Sequence, residues 1–282
     1  MRQRTVLWIF AVVLTVGSAV YQRMTGPSYP VSDSAVIAGH HVKFRLERSH
    51  GGESDCPVAL IVPDTSVRGV LSWKRFKTDD ALTHVSMDRH GDTLMAVLPH
   101  QPPAGKLQYS ITLQRGEGVF GIPEGEPVVI RFRGDVPSLI LIPHVFAMFL
   151  AMLLSTRAGL ECLRREPNIR LLTVTTVVLL VIGGGILGPI MQKFAFGAYW
   201  TGWPFGQDMT DNKTLVALLA WIGAAVAVYR SAAPRRWVLL ASIILFAVYL
   251  IPHSVLGSEL DYRSIDARSG QSQAPADSGS GR

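Results

Sequence analysis

The stretch VPSLILIPHVFAMFLAMLLS, residues 136–155, divides the chain into two kinds of sequence. It carries no charged residue, and its apolar run over 138–156 approaches the roughly 20 residues that cross a hydrocarbon core of ~30 Å. The residues before it form short alternating or apolar segments, whereas those after it contain further long apolar runs. The stretch therefore marks the point where a β-rich region gives way to a membrane region.

Four other apolar runs resemble this one. They cover 6–21, 171–191, 214–229 and 237–252. The first follows Arg2 and Arg4 and could be a secretory signal, but the small-residue cleavage pattern after it is poor, so it favours an uncleaved anchor. The last two runs are short and need interfacial residues at their ends. Together the five runs predict five transmembrane helices.

Basic residues in the short loops predict the orientation of these helices. They cluster after the second and fourth runs, as Arg157, Arg164, Arg165, Arg170, Arg230, Arg235 and Arg236. The positive-inside bias places these loops and the N-terminus in the cytoplasm of a bacterial inner membrane. Residues 25–135, the loop 192–213 and the C-terminal tail are then periplasmic. Because the net charge of +6 lies largely in the loops and the region outside, it predicts no nucleic-acid partner.

The region between the first two runs has the pattern of an all-β domain. Short alternating or apolar segments occupy 41–47, 58–63, 68–76, 84–89, 92–99, 106–114 and 127–133. Turn-forming stretches such as HGGESD and HQPPAGK separate them, which is typical of an immunoglobulin-like or fibronectin-like β-sandwich. The predicted fold class is α+β, a five-helix transmembrane bundle with an inserted periplasmic β-sandwich.

This reading divides the chain into four parts. Residues 1–24 form an N-terminal anchor, 25–135 the sandwich, and 136–262 a four-helix membrane domain with the external loop 192–213. Residues 263–282 contain too few apolar side chains to bury surface and are predicted to be a disordered tail.

The tetrapeptide LIPH occurs twice, ending at His144 and at His253. The predicted topology places both histidines at the outer edge of the membrane. It places Pro143 in the first turn of an entering helix, where its missing N–H costs nothing, and Pro252 at the end of another helix. One interpretation is that proline marks helix ends and that each histidine is interfacial. The other is that the pair binds a metal, because ionisable residues at membrane segments are functional candidates and two imidazoles can ligate one haem iron.

The external loop between them is rich in aromatic residues, namely Phe194, Phe196, Tyr199, Trp200, Trp203 and Phe205. Aromatic residues at a membrane boundary commonly form an interfacial belt. They can equally form a shelf for a large planar ligand, because ring faces contribute dispersion and stacking.

Acidic residues on the same predicted face also have two interpretations. Asp211 fits an N-cap for a helix beginning near Thr214. Alternatively, Asp208 and Asp211 provide oxygen ligands for Ca²⁺ or Mg²⁺, or join His253 and Glu259 in a hydrolytic metal centre.

The order FGAYWTGWP…D…TDNKT…W resembles the tryptophan-rich external segment of membrane haem-handling proteins in cytochrome c maturation. In that family the segment is flanked by two external histidines, and the similarity here covers about 138–261. The resemblance implies a non-covalent b-type haem with His144 and His253 as axial ligands. Carried over by position, Trp200 and Trp203 would contact the haem. The further candidate cofactor-binding residues of the loop are Phe196, Tyr199, Asp208 and Asp211.

The leading hypothesis is therefore a protein that binds haem at the outer face of the membrane. It would present the haem for cytochrome c maturation or for assembly of a redox complex, with an apocytochrome or a membrane assembly factor as its envelope partner. This is a binding role rather than catalysis. Two alternatives are a non-enzymatic assembly protein anchored by its helices, and a metal-dependent hydrolase that uses Asp208, Asp211, His253 and Glu259.

Overall fold

Two units make up the chain in the computed structural model, which describes residues 2–37, 39–252, 257 and 259–272. The helical unit consists of Met1–Tyr29 and Arg133–Ser258, and the β unit consists of Pro30–Phe132 and Glu259–Arg282. The sequence prediction placed residues up to 262 in the membrane domain. The structure instead assigns the segment from Glu259 onward to the β unit.

The helical unit follows the predicted apolar runs. Its helices are α1 (Arg2–Thr25), α2 (Ser138–Glu161), α3 (Arg170–Leu180), α4 (Gly188–Phe196), α5 (Met209–Arg230) and α6 (Pro234–Leu250). A π-helical segment, Val181–Leu187, joins α3 to α4, so that Arg170–Phe196 is continuous. Proline suits the first turn of α6, where a missing N–H costs no helical hydrogen bond. Pro143 was predicted in the first turn of its helix, but α2 begins five residues earlier, at Ser138, so Pro143 lies inside the helix.

Four of these helices are long and apolar enough to cross a membrane by length and composition, within the described residues. They are Gln3–Thr25, Ser138–Glu161, Arg170–Phe196 and Met209–Arg230. The fifth predicted run forms α6, which has only 17 residues. At 1.5 Å per residue it spans about 25 Å, less than a typical hydrocarbon core of ~30 Å.

The π-helical segment packs closely against α2 and α5, because two of the three glycines at its centre, Gly183 and Gly184, have no side chain to separate them from these helices. A Cβ added at Gly183 would lie 3.0 Å from the sulfur of Met148, and one at Gly184 would lie 2.7 Å from Cγ2 of Thr214. At Gly185, by contrast, an added Cβ would meet nothing within 4 Å. Close approach of α5 therefore excludes a side chain at Gly184 without a shift, that of α2 leaves little room for one at Gly183, and Gly185 is not constrained in this way.

The C-terminal end of α6 is held by side chains from two other helices. Lys213 of α5 is buried, and its Nζ donates to the carbonyl of Ile251 at 2.6 Å. Gln22 of α1 donates to the carbonyl of Tyr249, also at 2.6 Å. The last carbonyls of a helix have no partner within the helix, so these donors satisfy groups that would otherwise be unpaired.

The opposite end of the helical unit holds a buried ion pair. Arg157 and Glu161 are one turn apart on α2, both almost fully buried, with Arg157 Nη2 2.6 Å from Glu161 Oε2. Arg164 pairs with the other carboxylate oxygen, which also accepts from the backbone N–H of Asn168. The guanidinium of Arg157 lies over the ring of Trp8 at 5.4 Å. Loss of one member would leave an uncompensated buried charge.

The β unit contains a strand at each of the seven predicted segments. The described strands are β1 (Val31–Ile37), β2 (His40–Leu46), β3 (Ser49–Gly51), β4 (Cys56–Ile61), β5 (Arg68–Arg75), β6 (Thr83–Ser86), β7 (Asp88–His90), β8 (Thr93–Leu98), β9 (Lys106–Arg115), β10 (Gly118–Ile122) and β11 (Val128–Arg133). The strands β1, β3 and β10 were not predicted, and the segment 84–89 is divided between β6 and β7.

These strands form three sheets around one apolar core. The largest has the order β3-β11-β9-β5-β6, with β10 also paired to β9, while β1 pairs with β2 and the third sheet has the order β4-β8-β7. Strand β9 alternates buried Leu107, Tyr109, Ile111 and Leu113 with more exposed residues. These side chains pack in the same cluster as apolar residues of β2, β4 and β8. Alternation with a period of two thus places one face of the long strand in the core.

Residues 259–272 pack on the β unit, where the sequence predicted a disordered tail from 263. It includes helix α7, Tyr262–Ser272. The hydroxyl of Tyr262, a buried residue, donates to Gln101 and accepts from the backbone N–H of Lys106. Arg75 makes paired hydrogen bonds to Asp266 at 2.8 and 2.9 Å. These polar contacts order a segment whose composition offers little apolar surface.

We expect Gly184→Ala to destabilise the helical unit by about 1–3 kcal/mol, the usual cost of overpacking a tight contact. Thr214 cannot easily rotate away, because its hydroxyl donates to the carbonyl of Thr210. The matched control is Gly185→Ala, where open space makes the change neutral or stabilising. The midpoint of thermal unfolding in detergent measures both effects, and equal midpoints for the two variants would contradict the close-approach argument.

The docking of α7 should depend on pH. Hydrogen bonds from Arg75 hold the pKa values of Asp80 and Asp266 below their usual range. Burial raises the pKa of Glu259, but hydrogen bonds from Lys106 and Lys77 outweigh it and leave the pKa lowered. A carboxyl with a lowered pKa stabilises the folded state above its unfolded value of about 4, and this stabilisation is lost as pH falls through the folded pKa.

Amide hydrogen exchange of 262–272, corrected for the intrinsic rate, tests this dependence between pH 7 and pH 3.5. We expect protection to fall below about pH 4 in the wild type, and already at pH 7 in Arg75→Gln. The control is Arg45→Gln, which removes an exposed ion pair between Arg45 of β2 and Glu47. Unchanged protection in Arg75→Gln would show that the ion pairs do not hold α7.

Candidate functional site

A cavity with a mostly apolar lining and a few polar groups lies in the helical unit between α2, the π-helical segment, α4 and the start of α5. Its volume is about 100 Å³. It is lined by His144, Met148, Gly184, Gly188, Pro189, Met191, Gln192, Phe196, Trp200, Asp208, Thr210, Asp211 and Thr214. Five of the residues singled out from the sequence therefore share one cavity, namely His144, Phe196, Trp200, Asp208 and Asp211.

His144 is oriented by the π-helical segment. Its Nδ1 lies 2.9 Å from the carbonyl oxygen of Gly183. That oxygen also accepts the backbone N–H of Gly188, five residues further on, which is the hydrogen bond of a π-helix. Since a carbonyl can only accept, Nδ1 carries the hydrogen of the neutral ring and Nε2 carries the lone pair. This is the arrangement by which a backbone carbonyl commonly prepares a histidine for metal binding.

The aspartates organise the aromatic loop. Asp211 is buried, and its Oδ2 accepts from the backbone N–H groups of Thr201 and Gly202 at 2.7 and 3.0 Å. The neighbouring Asn212 accepts from the backbone N–H of Trp203 at 2.6 Å. The first turn of α5 thus provides side-chain acceptors for three consecutive N–H groups of the loop. A loop at this position needs such partners, because unpaired backbone groups are costly to bury.

The sequence prediction that Asp211 is the N-cap was wrong. Helix α5 begins at Met209, and its N-cap is Asp208, whose carboxylate accepts from the backbone N–H of Thr210. The predicted start near Thr214 followed the apolar run, whereas the helix extends five residues further toward the N-terminus. Asp211 is consequently inside the first turn, where negative charge is favoured and its side chain can reach the loop.

The predicted aromatic shelf is divided between two environments. Phe196 and Trp200 line the cavity, and Trp200 Nε1 donates to the carbonyl of Trp203 at 3.0 Å. Tyr199 and Trp203 do not line the cavity and are 58% and 68% exposed. The exposed pair has the character of an interfacial belt, in which an apolar ring body carries a polar tip.

The other predicted ligands do not join this cavity. His253, the second predicted axial ligand, lies outside the described residues. Glu259 is part of the β unit, where its two carboxylate oxygens pair with Lys106 and Lys77, each at 2.7 Å. Within the described residues, no group of three or more His, Cys, Asp or Glu side chains is placed to hold a metal ion. The hydrolase interpretation, which needed Glu259, therefore has no assembled centre in this part of the chain.

The cavity fits one haem ligand but not the haem ring. The free Nε2 of His144 suits iron, as the sequence resemblance implies. A volume of about 100 Å³, however, is well below the roughly 300–1,000 Å³ of pockets that hold organic ligands. The two aromatic residues that line the cavity occupy its wall, and the other two face outward. We therefore assign no haem-dependent step to these residues.

Sequence reasoning missed three residues that complete the cavity wall. Met148 follows His144 by one helical turn, and Met191 and Gln192 lie on α4. Gln192 is buried and donates to the hydroxyl of Thr201 at 2.6 Å. The spacing of four between His144 and Met148 was visible in the sequence, because residues four apart share a helix face.

Comparison of the chain with protein-family models, with curated proteins and with solved structures finds no match. The interpretation of the site consequently rests on its own geometry and chemistry.

Removal of the Asp211 carboxylate should release the aromatic loop. In Asp211→Ala the N–H groups of Thr201 and Gly202 lose their acceptor, at a cost of about 1–3 kcal/mol for each buried group left unpaired. We expect faster chymotrypsin cleavage within 199–205 and a lower midpoint of thermal unfolding. The control, Asp135→Ala, changes an exposed aspartate of the same unit. Cleavage at the wild-type rate in Asp211→Ala would mean that other contacts hold the loop.

Proposed function

We propose that this chain is an inner-membrane protein that binds a metal at the outer face of the membrane through His144. The observation that carries the proposal is the hydrogen bond from Nδ1 of His144 to Gly183, which leaves Nε2 as a ligand in a cavity. An ionisable residue in a membrane segment is costly and is therefore a functional candidate, and the neutral imidazole of histidine is the commonest metal ligand in proteins.

The finer membrane architecture belongs to the same proposal. Five helices cross the inner membrane, with α6 as the shortest, and the Arg-rich loops are cytoplasmic. The β unit is then a periplasmic domain of immunoglobulin-like or fibronectin-like type. Its alternating strands and single apolar core support a sandwich, and the helix ends beside the cavity are those that this orientation places outside.

The resemblance noted in the sequence implies that the metal is haem iron, presented for cytochrome c maturation or for assembly of a redox complex. The interpretation as haem iron is supported by Nε2 of His144 and by Trp200, which lines the same cavity, whereas the small volume of the cavity favours a smaller occupant. We therefore propose metal binding as the function and treat the identity of the metal as the variable that the experiment resolves.

The test is the metal and porphyrin content of the full-length protein purified in detergent. We expect about one metal per chain in the wild type and a loss in His144→Ala, because the imidazole nitrogen is removed. His253→Ala, measured in parallel, tests the predicted second ligand. The control is His90→Ala, an exposed histidine of the β unit. A Soret band would identify haem, whereas metal without porphyrin absorbance would identify an ion.

Equal metal content in His144→Ala and the wild type would refute the proposal, provided that a cooperative thermal-unfolding transition shows both proteins to be folded. That outcome would favour the alternative of an assembly protein whose helices are an anchor and whose histidines can be replaced without loss. One observation favours this alternative: the outer side of β4 and β8 exposes Ile61, Met95 and Val97, an apolar surface of the kind that partners cover.

A further inference from the structure

The His144 cavity contains two methionines in addition to the histidine. Met148 lies four residues after His144, so the two side chains share one face of α2. Met191 lines the same cavity from α4. Both of these α2 side chains lie against glycines of the π-helical segment or the residue after it. A Cβ added at Gly183 would lie 3.0 Å from the sulfur of Met148, and a Cβ added at Gly188 would lie 3.7 Å from Cε1 of His144.

The carboxylates of the cavity are poorly suited to a hard cation. Asp211 is engaged by two backbone N–H groups and by the hydroxyl of Thr201. Asp208 caps α5 and also accepts from Thr201. Ca²⁺ and Mg²⁺ need several oxygen ligands with free lone pairs, and these carboxylates already serve the loop and the helix. The acidic residues therefore have a structural role that explains their presence.

The donor set is also unlike a zinc site. Structural zinc takes four ligands and catalytic zinc takes three, drawn from cysteine, histidine and carboxylates. The described residues that line the cavity include one histidine and no cysteine, and the carboxylates are engaged as described above. What remains is one imidazole nitrogen and two thioether sulfurs. Soft sulfur ligands select Cu(I), zinc and iron–sulfur clusters. Zinc and iron–sulfur sites use cysteine, histidine or carboxylate ligands that this donor set lacks, which leaves Cu(I) as the best match.

We infer that the metal bound at this site is Cu(I), held by Nε2 of His144 and by the sulfurs of Met148 and Met191. This inference rests on the proposed metal-binding function and names the metal. The cavity of about 100 Å³ is large enough for a metal ion but too small for a porphyrin. Thioethers keep their ligand character without deprotonation, so the site needs no additional negative charge at the membrane boundary.

Met152 provides an internal comparison. Methionine fills irregular gaps in apolar cores, and this alone could explain Met148 and Met191. Met152 lies on the same face of α2 one turn beyond Met148, is 1% exposed, and belongs to the apolar core of the helical unit. It does not line the cavity. A packing role predicts the same behaviour for all three methionines, whereas a ligand role separates Met152 from the other two.

The experiment is a competition between the full-length protein in detergent and a chromogenic Cu(I) chelator, under anaerobic reducing conditions. The variants are Met148→Leu, Met191→Leu and the control Met152→Leu, because leucine nearly conserves the volume of methionine and removes only the sulfur. We expect each of the first two variants to weaken Cu(I) binding by at least about 10-fold. Loss of a residue that only supports a metal ligand typically costs this much, so loss of a ligand itself should cost no less. The control should bind within about 2-fold of the wild type.

X-ray absorption of the copper-loaded protein gives an independent readout, and we expect both sulfur and nitrogen scatterers, with less sulfur in Met148→Leu. Wild-type affinity in both Met148→Leu and Met191→Leu would overturn the inference. If the protein instead holds haem or another metal in a His144-dependent way and does not take up Cu(I), the copper inference fails while the proposed function stands. If no metal binds in any form, both fail together.

Discussion

The close approach of Gly183 and Gly184 to α2 and α5 is the constraint on which the candidate site depends. A Cβ at Gly184 would lie 2.7 Å from Cγ2 of Thr214, so the π-helical segment and α5 could not keep their present separation. The same segment carries the carbonyl of Gly183, 2.9 Å from His144 Nδ1, so a shift of the segment would change that hydrogen bond. The i+5 hydrogen bond of the π-helix places that carbonyl where it accepts from both Gly188 and the histidine. Packing of small residues and the chemistry of the ring are thus parts of one local arrangement.

The aromatic loop depends on a second arrangement, which is polar. Its backbone donors are satisfied by the first turn of α5, so the loop is fixed by the same helix that contributes Thr214 to the glycine contact. Trp200 is held over the cavity partly by its hydrogen bond to the backbone of Trp203, while the ring of Trp203 faces outward. Two tryptophans three residues apart therefore have different surroundings, although the sequence presents them as equivalent.

The sequence was informative where a single physical signal dominates. Long apolar runs located the helices, and period-two alternation located strands such as β4 and β9, whose buried residues alternate regularly. It failed where tertiary contacts decide. Strand β1 is rich in serine and aspartate and is ordered by complete pairing with β2, from Val31 with Leu46 to Ile37 with His40. The π-helical segment looked like uninterrupted helix, and the polar anchoring of α7 involves partners such as Arg75 that are distant in sequence. Of the residues singled out from the sequence, His144, Trp200 and the aspartates line the cavity, whereas Met148 was not singled out because methionine in an apolar run resembles ordinary core.

In the proposed five-helix topology, α6 is shorter than a typical hydrocarbon core is thick, and this would have a consequence for the bilayer around it. A helix of 17 residues either thins the surrounding lipid or leaves its last carbonyls within the apolar layer. In hydrocarbon each unpaired carbonyl would cost several kcal/mol, roughly as much as burial of any isolated polar group. Lys213 and Gln22 donate to these carbonyls from neighbouring helices. They give these carbonyls the hydrogen bonds that interfacial water gives to a helix that reaches the membrane surface. Helix α6 therefore would not need to span the full thickness of the hydrocarbon core to satisfy its last carbonyls.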